Sequence, residues 1–129
     1  MAQVRPGLTL DTGALIQWER KDRTTTALLK GARPRGRLLT VPTVVLAQAW
    51  RRRPLRMAVL LEGCEIEPFS DAHARAAGEL LGDSGGADIV DVAVVLSAAR
   101  RGDAIVTSDP NDIERLAAFI RKDLIVIAV

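Results

Sequence analysis

The sequence predicts an α/β protein built on a five-stranded parallel sheet with helices on both faces. Three observations lead there. Short apolar runs of strand length alternate with longer runs of helical period along the whole chain. Strands separated by helices connect through right-handed crossovers, which build parallel sheets covered on both sides. The 129 residues, without a repeat, a low-complexity block or a linker, suit one domain spanning 1–129.

The elements follow in order. "GLTLD" (7–11) reads as a strand, and 12–20 as a helix with Ala14, Leu15 and Trp18 on one stripe. Residues 24–32 form a second helix with Gly31 at its end. "RLLTVP" (37–42) is a strand, after which Thr43 caps a helix over 44–53 that Pro54 interrupts. Another helix covers 55–63. "CEIEPF" (64–69) alternates as a strand does, and Ser70 with Asp71 caps a helix over 72–82. Beyond the glycine-rich break, 87–102 is a strongly apolar helix ending at Gly102. A strand (103–109), a capped helix (110–122) and a final buried strand (123–129) complete the chain.

Composition narrows the class. The longest run without a charge, 38–50, has 13 residues and contains Pro42, short of the roughly 20 apolar residues that span a bilayer. No membrane association is therefore expected. The first residues lack the continuous apolar core of a signal peptide, and one cysteine cannot make an internal disulfide framework. Both point to the cytoplasm. The formal charge is only +2, but fifteen of the eighteen basic residues are arginine. They cluster at Arg33/Arg35/Arg37 and at Arg51/Arg52/Arg53/Arg56, and arginine forks match phosphate oxygens. A nucleic-acid face is one reading; solvated helix ends and loops are the other.

Two short strings invite protease chemistry. "GDSGG" (82–86) matches the surroundings of the nucleophilic serine in trypsin-like enzymes, and "LDTGA" (10–14) the aspartate loop of pepsin-like ones. Those families are all-β. The one histidine, His73, precedes Ser84 by eleven residues within a helix, and no orienting acid is set up for a His–Ser pair. Ser84 is therefore expected to form a turn, His73 to be locally satisfied, and Cys64 to be core.

The acids carry more. Ligands of open α/β sheets collect beyond the carboxyl ends of the strands, where strand order reverses. Asp11 and Asp109 end strands there. Asp88 and Asp91 lie three apart at a helix start and share a face. Asp88 and Asp112 also have capping readings, and Asp109 a turn reading. Asp91 has none, since its neighbours from Ile89 to Val95 are apolar and turn it inward. Carboxylates converging at one edge repel unless a cation lies between them, and oxygen ligands favour Mg²⁺ or Mn²⁺. Metal-assisted phosphodiester hydrolysis is the chemistry most consistent with such a cluster.

The segments "LDTGALI", "VPTVVLAQAW", "GADIVDVAVVLSAARRG" and "AIVTSDPNDIERLA", in this order and over essentially the whole chain, resemble a PIN-domain ribonuclease of the VapC toxin type. The resemblance implies a three-layer α/β/α sandwich with a five-stranded parallel sheet. It implies an Mg²⁺ or Mn²⁺ site made by Asp11, Asp88, Asp91 and Asp109, and endonucleolytic cleavage of RNA such as tRNA or rRNA. It also implies a homodimer and a cognate antitoxin. Thr107 and Ser108 fall where that family often carries a hydroxyl supporting the metal site.

Gln48 departs from the pattern, because the family usually has glutamate there. An amide ligates or orients without adding charge, so the site either works with a neutral Gln48 or is a non-cleaving module that binds RNA or a protein. Glu19, two helical turns after Asp11, is a candidate replacement acid or else a solvated residue. Arg33, Arg35, Arg51, Arg52 and Arg53 are expected to border the acidic pocket and hold phosphates. Trp50 either stacks on a base or packs in a core or dimer interface. The apolar middle (Val44, Val45, Leu46, Leu55, Met57, Leu60) is either a docking groove or ordinary core.

Overall fold

The computed structural model describes residues 5–120 and 123–129. The first four residues of the amino-terminal reading and the last two of the expected 110–122 helix lie outside them. Strands β1 (Leu8–Leu10), β2 (Leu39–Pro42), β3 (Glu65–Glu67), β4 (Ala104–Thr107) and β5 (Val126–Ala128) form one parallel sheet in the order β3-β2-β1-β4-β5. The helices are α1 (Thr12–Glu19), α2 (Arg23–Ala32), α3 (Thr43–Ala49), α4 (Leu55–Glu62), α5 (Asp71–Asp83), α6 (Ile89–Arg101) and α7 (Pro110–Phe119).

Right-handed crossovers put α1–α4 on one face and α5–α7 on the other. The packing agrees: α1 meets α2, α3 and α4, whereas α6 packs on α5, α7 and the three central strands. The core lies between these layers, with Leu8, Leu10, Val41, Ile105 and Val106 from the sheet against Leu15, Met57, Val92, Val95 and Leu116 from the helices. Central strands β1, β2 and β4 are buried along their whole length, which is why they read as near-continuous apolar runs.

Three expectations need correction. The last strand is not buried: β5 is an edge strand, half-exposed, with Ala128 at the surface. The helix expected over 44–53 ends at Ala49, because Trp50 turns extended and Arg52 and Arg53 adopt left-handed backbone (φ 53° and 54°). Thr43 does not cap that helix; it is its first residue, and its hydroxyl accepts from Phe69 N across the β3 edge (3.1 Å). Of the apolar middle, Val45, Met57 and Leu60 belong to the core, whereas Leu55 is 77% exposed.

The glycine-rich break behaves as a turn. Ser84 closes α5, and Gly85 and Gly86 have φ of 77° and 105°, which glycine adopts without penalty. The Ser84 hydroxyl donates back to Leu81 O (3.2 Å). His73 completes a capping box with Ser70 at the start of α5. No helix among the described residues is long and apolar enough to cross a membrane.

Candidate metal centre

Strand order reverses at β1: the chain moves outward to β2 and β3, then returns through α5 and α6 to β4 on the other side. The carboxyl ends of β1 and β4 therefore bound the crevice in which open α/β sheets place ligands. Asp11 follows β1 and Asp109 follows β4. Helix α6 starts at the same edge, because it must run back along the sheet to reach β4, and it delivers Asp91 in its first turn.

Asp11 is the most enclosed of these acids, at 5% exposure. It caps α1, accepting from Ala14 N at 2.8 Å, and it also takes a hydrogen bond from Thr107. Burial raises its pKa despite those bonds. Thr107, fully buried, also accepts from Asp109 N (2.8 Å). One hydroxyl thus ties the acid after β1 to the backbone of the acid after β4. Gly13 permits the close packing here: a Cβ on it would fall 1.8 Å from Ser108 Oγ. Ser108 consequently lies against the first turn of α1.

Asp91 is half-buried and its pKa is pushed up to about 6, first by desolvation and then by Asp88, Asp11, Asp109 and Asp112. Its carboxylate oxygens converge with those of Asp109 and Asp112, one atom from each lying within 4.8 Å of the others. Asp109 occupies the cap position of α7 without bonding to it through its side chain, which leaves the carboxylate for the cluster. The Asp112 pKa is raised by its hydrogen bond to Asp109.

The expected set is thereby redrawn. Asp91 and Asp109 come together, and Asp11 adjoins them closely enough to raise the Asp91 pKa. Asp88 is exposed and spends one oxygen on the α6 cap, accepting from Val90 N (2.8 Å) and Asp91 N (3.2 Å). Asp112, read as a cap, belongs to the cluster instead. Its signal in the sequence was the Asp109-x-x-Asp112 spacing, the same three-residue step as Asp88 to Asp91. Glu19 is not brought to the cluster: it caps α4, accepting from Met57 N at 2.8 Å, and two helical turns carry it about 12 Å along α1 from Asp11. Gln48 does reach the site's margin, where its Oε1 accepts from the Thr12 hydroxyl at 2.5 Å.

The arginines divide. Arg33 and Arg35 lie in a 3₁₀ turn that precedes β2. Parallel strands all begin at one edge, so this turn stands at the opposite edge from the acids, contrary to expectation. Arg51, Arg52 and Arg53 follow α3, which packs on the acid-bearing helices α1 and α6, and all three are exposed.

The donor set suits a hard cation. It is all carboxylate oxygen, with Cys64 and His73 elsewhere in the fold. Opposite ligands of Mg²⁺ are about 4.2 Å apart, so oxygens within 4.8 Å close onto one ion with small side-chain shifts.

No family model and no curated protein matches this chain. Solved structures do. VapBC2 from Rickettsia felis bound to a promoter DNA fragment is 17% identical at a TM-score of 0.69, covering 95% of this chain and 98% of that one. DNA-bound VapBC from Salmonella typhimurium is 17% identical at 0.67, covering 96% and 98%. FitAcB from Neisseria gonorrhoeae is 14% identical at 0.62, covering 93% and 96%. The likeness extends over the full chain, and the three-layer, five-stranded PIN-like sandwich is the fold of this protein.

Proposed function

We propose that the chain is an Mg²⁺- or Mn²⁺-dependent endoribonuclease that acts as the toxin of a toxin–antitoxin pair. The observation that carries this reading is the convergence of Asp91, Asp109 and Asp112, with Asp11 beside them, at the switch point of a PIN-like fold. Asp11, Asp91 and Asp109 would hold the ion, with Asp112 as a fourth acid and Asp88 as the cap that orients Asp91. Bound there, the ion supplies Lewis acidity toward a phosphoryl oxygen and lowers the pKa of an attacking water. Thr107 keeps Asp11 and the Asp109 backbone in register, and Ser108 packs against α1 at the rim. The substrate is RNA, structured tRNA or rRNA being the class to test.

The similarity to DNA-bound VapBC supports a cognate antitoxin as partner. Leu55 and Val59, one turn apart on α4 and 77% and 67% exposed, offer an apolar stripe for it or for a second copy in a homodimer. The cytoplasm is the compartment such a pair would occupy.

A second reading has its own observation. Gln48 is neutral and its oxygen is already engaged by Thr12, which favours a weak or non-cleaving module that binds RNA or a protein. Purified, partner-free protein incubated with tRNA and rRNA separates the two. Cutting that needs Mg²⁺ or Mn²⁺, stops with EDTA and is lost in Asp91→Asn supports the nuclease. Intact RNA under all conditions, with binding retained, supports the module.

A further inference from the structure

A hollow of about 280 Å³ opens between the second half of α1 and the α3–α4 junction. Its floor is apolar, made by Ile16, Pro54 and Met57, and its rim carries Gln48, Arg20 and Arg51. Small-molecule sites run from roughly 300 to 1,000 Å³, so this one suits a single ring. The Gln48–Thr12 hydrogen bond ties one side of the rim to the first turn of α1, where Thr12 directly follows Asp11.

The rim is set up for a polar guest. Thr12 engages the Gln48 oxygen, so the Nε2 amino group keeps both donors without a partner among the described residues. The Arg20 guanidinium is likewise unpartnered among them. Arg51 folds one nitrogen onto Ala47 O and Trp50 O (2.8 Å each), which fixes the group at the rim. Glu19 also lines the hollow, but its Oε2 already accepts from Met57 N. Arg52 and Arg53, with left-handed backbone, follow directly after Arg51.

We propose that this hollow seats a nucleotide next to the cleaved phosphate. The base lies on Ile16, Pro54 and Met57, Gln48 Nε2 donates to an acceptor on its edge, and Arg20 and Arg51 meet its phosphate. Gln48 is then a specificity residue for single-stranded RNA rather than a metal ligand. The proposal rests on the RNA-cleaving reading above and refines its substrate.

Fluorescence anisotropy with a ten-nucleotide single-stranded RNA, in the non-cleaving Asp91→Asn background and across a salt series, tests it. Arg20→Gln with Arg51→Gln is expected to weaken binding about tenfold or more and to lower the salt slope by about 1.4, two single-strand phosphate contacts. Arg75→Gln, on the distant helix α5, is the charge control and leaves the slope unchanged. Gln48→Ala is expected to change the ranking of the four homopolymer RNAs at constant salt slope. In the unsubstituted background it should retain the full Mn²⁺-induced rise in Tm. RNA affinity and base ranking indifferent to all three rim substitutions overturn the proposal, as does loss of the Mn²⁺ effect in Gln48→Ala. The two readings fail separately: cleavage by the parent with indifferent rim variants removes this one alone. Rim-dependent binding without any cleavage removes the nuclease and keeps the hollow as a nucleotide-binding site.

Discussion

Partial burial and, after it, four neighbouring carboxylates favour the protonated form of Asp91 and push its pKa up to about 6 from 3.8. Because the folded pKa is the higher, its contribution to stability is fully present below about pH 3.8 and is lost as pH rises through 6. The metal-free protein should therefore lose stability between those values, by on the order of 1 kcal/mol once solvent screening is allowed for. Asp91→Asn should flatten that slope, raise the metal-free Tm at pH 7.5 and remove the stabilisation that Mn²⁺ confers; thermal melts with and without Mn²⁺ measure all three. Unchanged Mn²⁺ stabilisation in the variant would take Asp91 out of the metal site. Among the described residues Ser84, by contrast, bonds only to its own helix end, so Ser84→Ala should leave the proposed RNA cleavage within about twofold of the parent, inside the small range of surface substitutions. The acids on strand and helix ends were legible in the sequence because each sits next to a recognisable boundary. Asp112 was not, since a first-turn aspartate reads equally well as a cap. Only its approach to Asp91 and Asp109 separates the two roles.

Elements meet at the site through one close contact. The β4–α7 loop packs Ser108 onto Gly13 of α1, where a Cβ would lie 1.8 Å from Ser108 Oγ and 2.7 Å from its Cβ. Gly13→Ala should push loop and helix apart, destabilising the fold by roughly 1–3 kcal/mol, the range for overpacking, and weakening Mn²⁺ binding along with it. Urea unfolding and a Mn²⁺ titration test both; an unchanged urea midpoint would mean the contact yields without strain. The "LDTGA" string is thus a strand, a cap and a close approach. Helix boundaries were readable at Ser70 and Gly102, where capping chemistry marks them. The end of α3 was not: nothing in "AWRRRP" announces two consecutive left-handed arginines, and the chain takes that turn to bring α4 beneath Glu19 and Trp18.

Across the whole molecule, a partly buried polar network centred on Arg101 ties the end of α6 to the sheet. Its guanidinium joins Asp103 (2.9 Å), Thr9 (2.8 Å), Ser97 (2.8 Å) and Glu67, linking β1, β3, α6 and the turn before β4. Asp103 is only 7% exposed. Among the described residues Arg101→Met leaves that buried carboxylate with Thr9 as its side-chain partner and should cost roughly 1–3 kcal/mol. Adding Asp103→Asn should recover part of the loss, and equilibrium unfolding of the single and double variants reads the coupling. Arg100 and Arg101 find one acidic partner, Glu67, on the far strand β3, which helix-end spacing does not reveal. By itself the sequence determined the class of fold and the five strands, and it placed Asp11, Asp88, Asp91 and Asp109 at strand and helix ends, because apolar period and strand-end position are local properties. Tertiary structure alone decided which charges meet. It drew Asp112 into the cluster and Glu19 out of it, set Arg33 and Arg35 at the far edge and gave Gln48 a neighbour in Thr12, because these depend on where separate elements come to rest against one another.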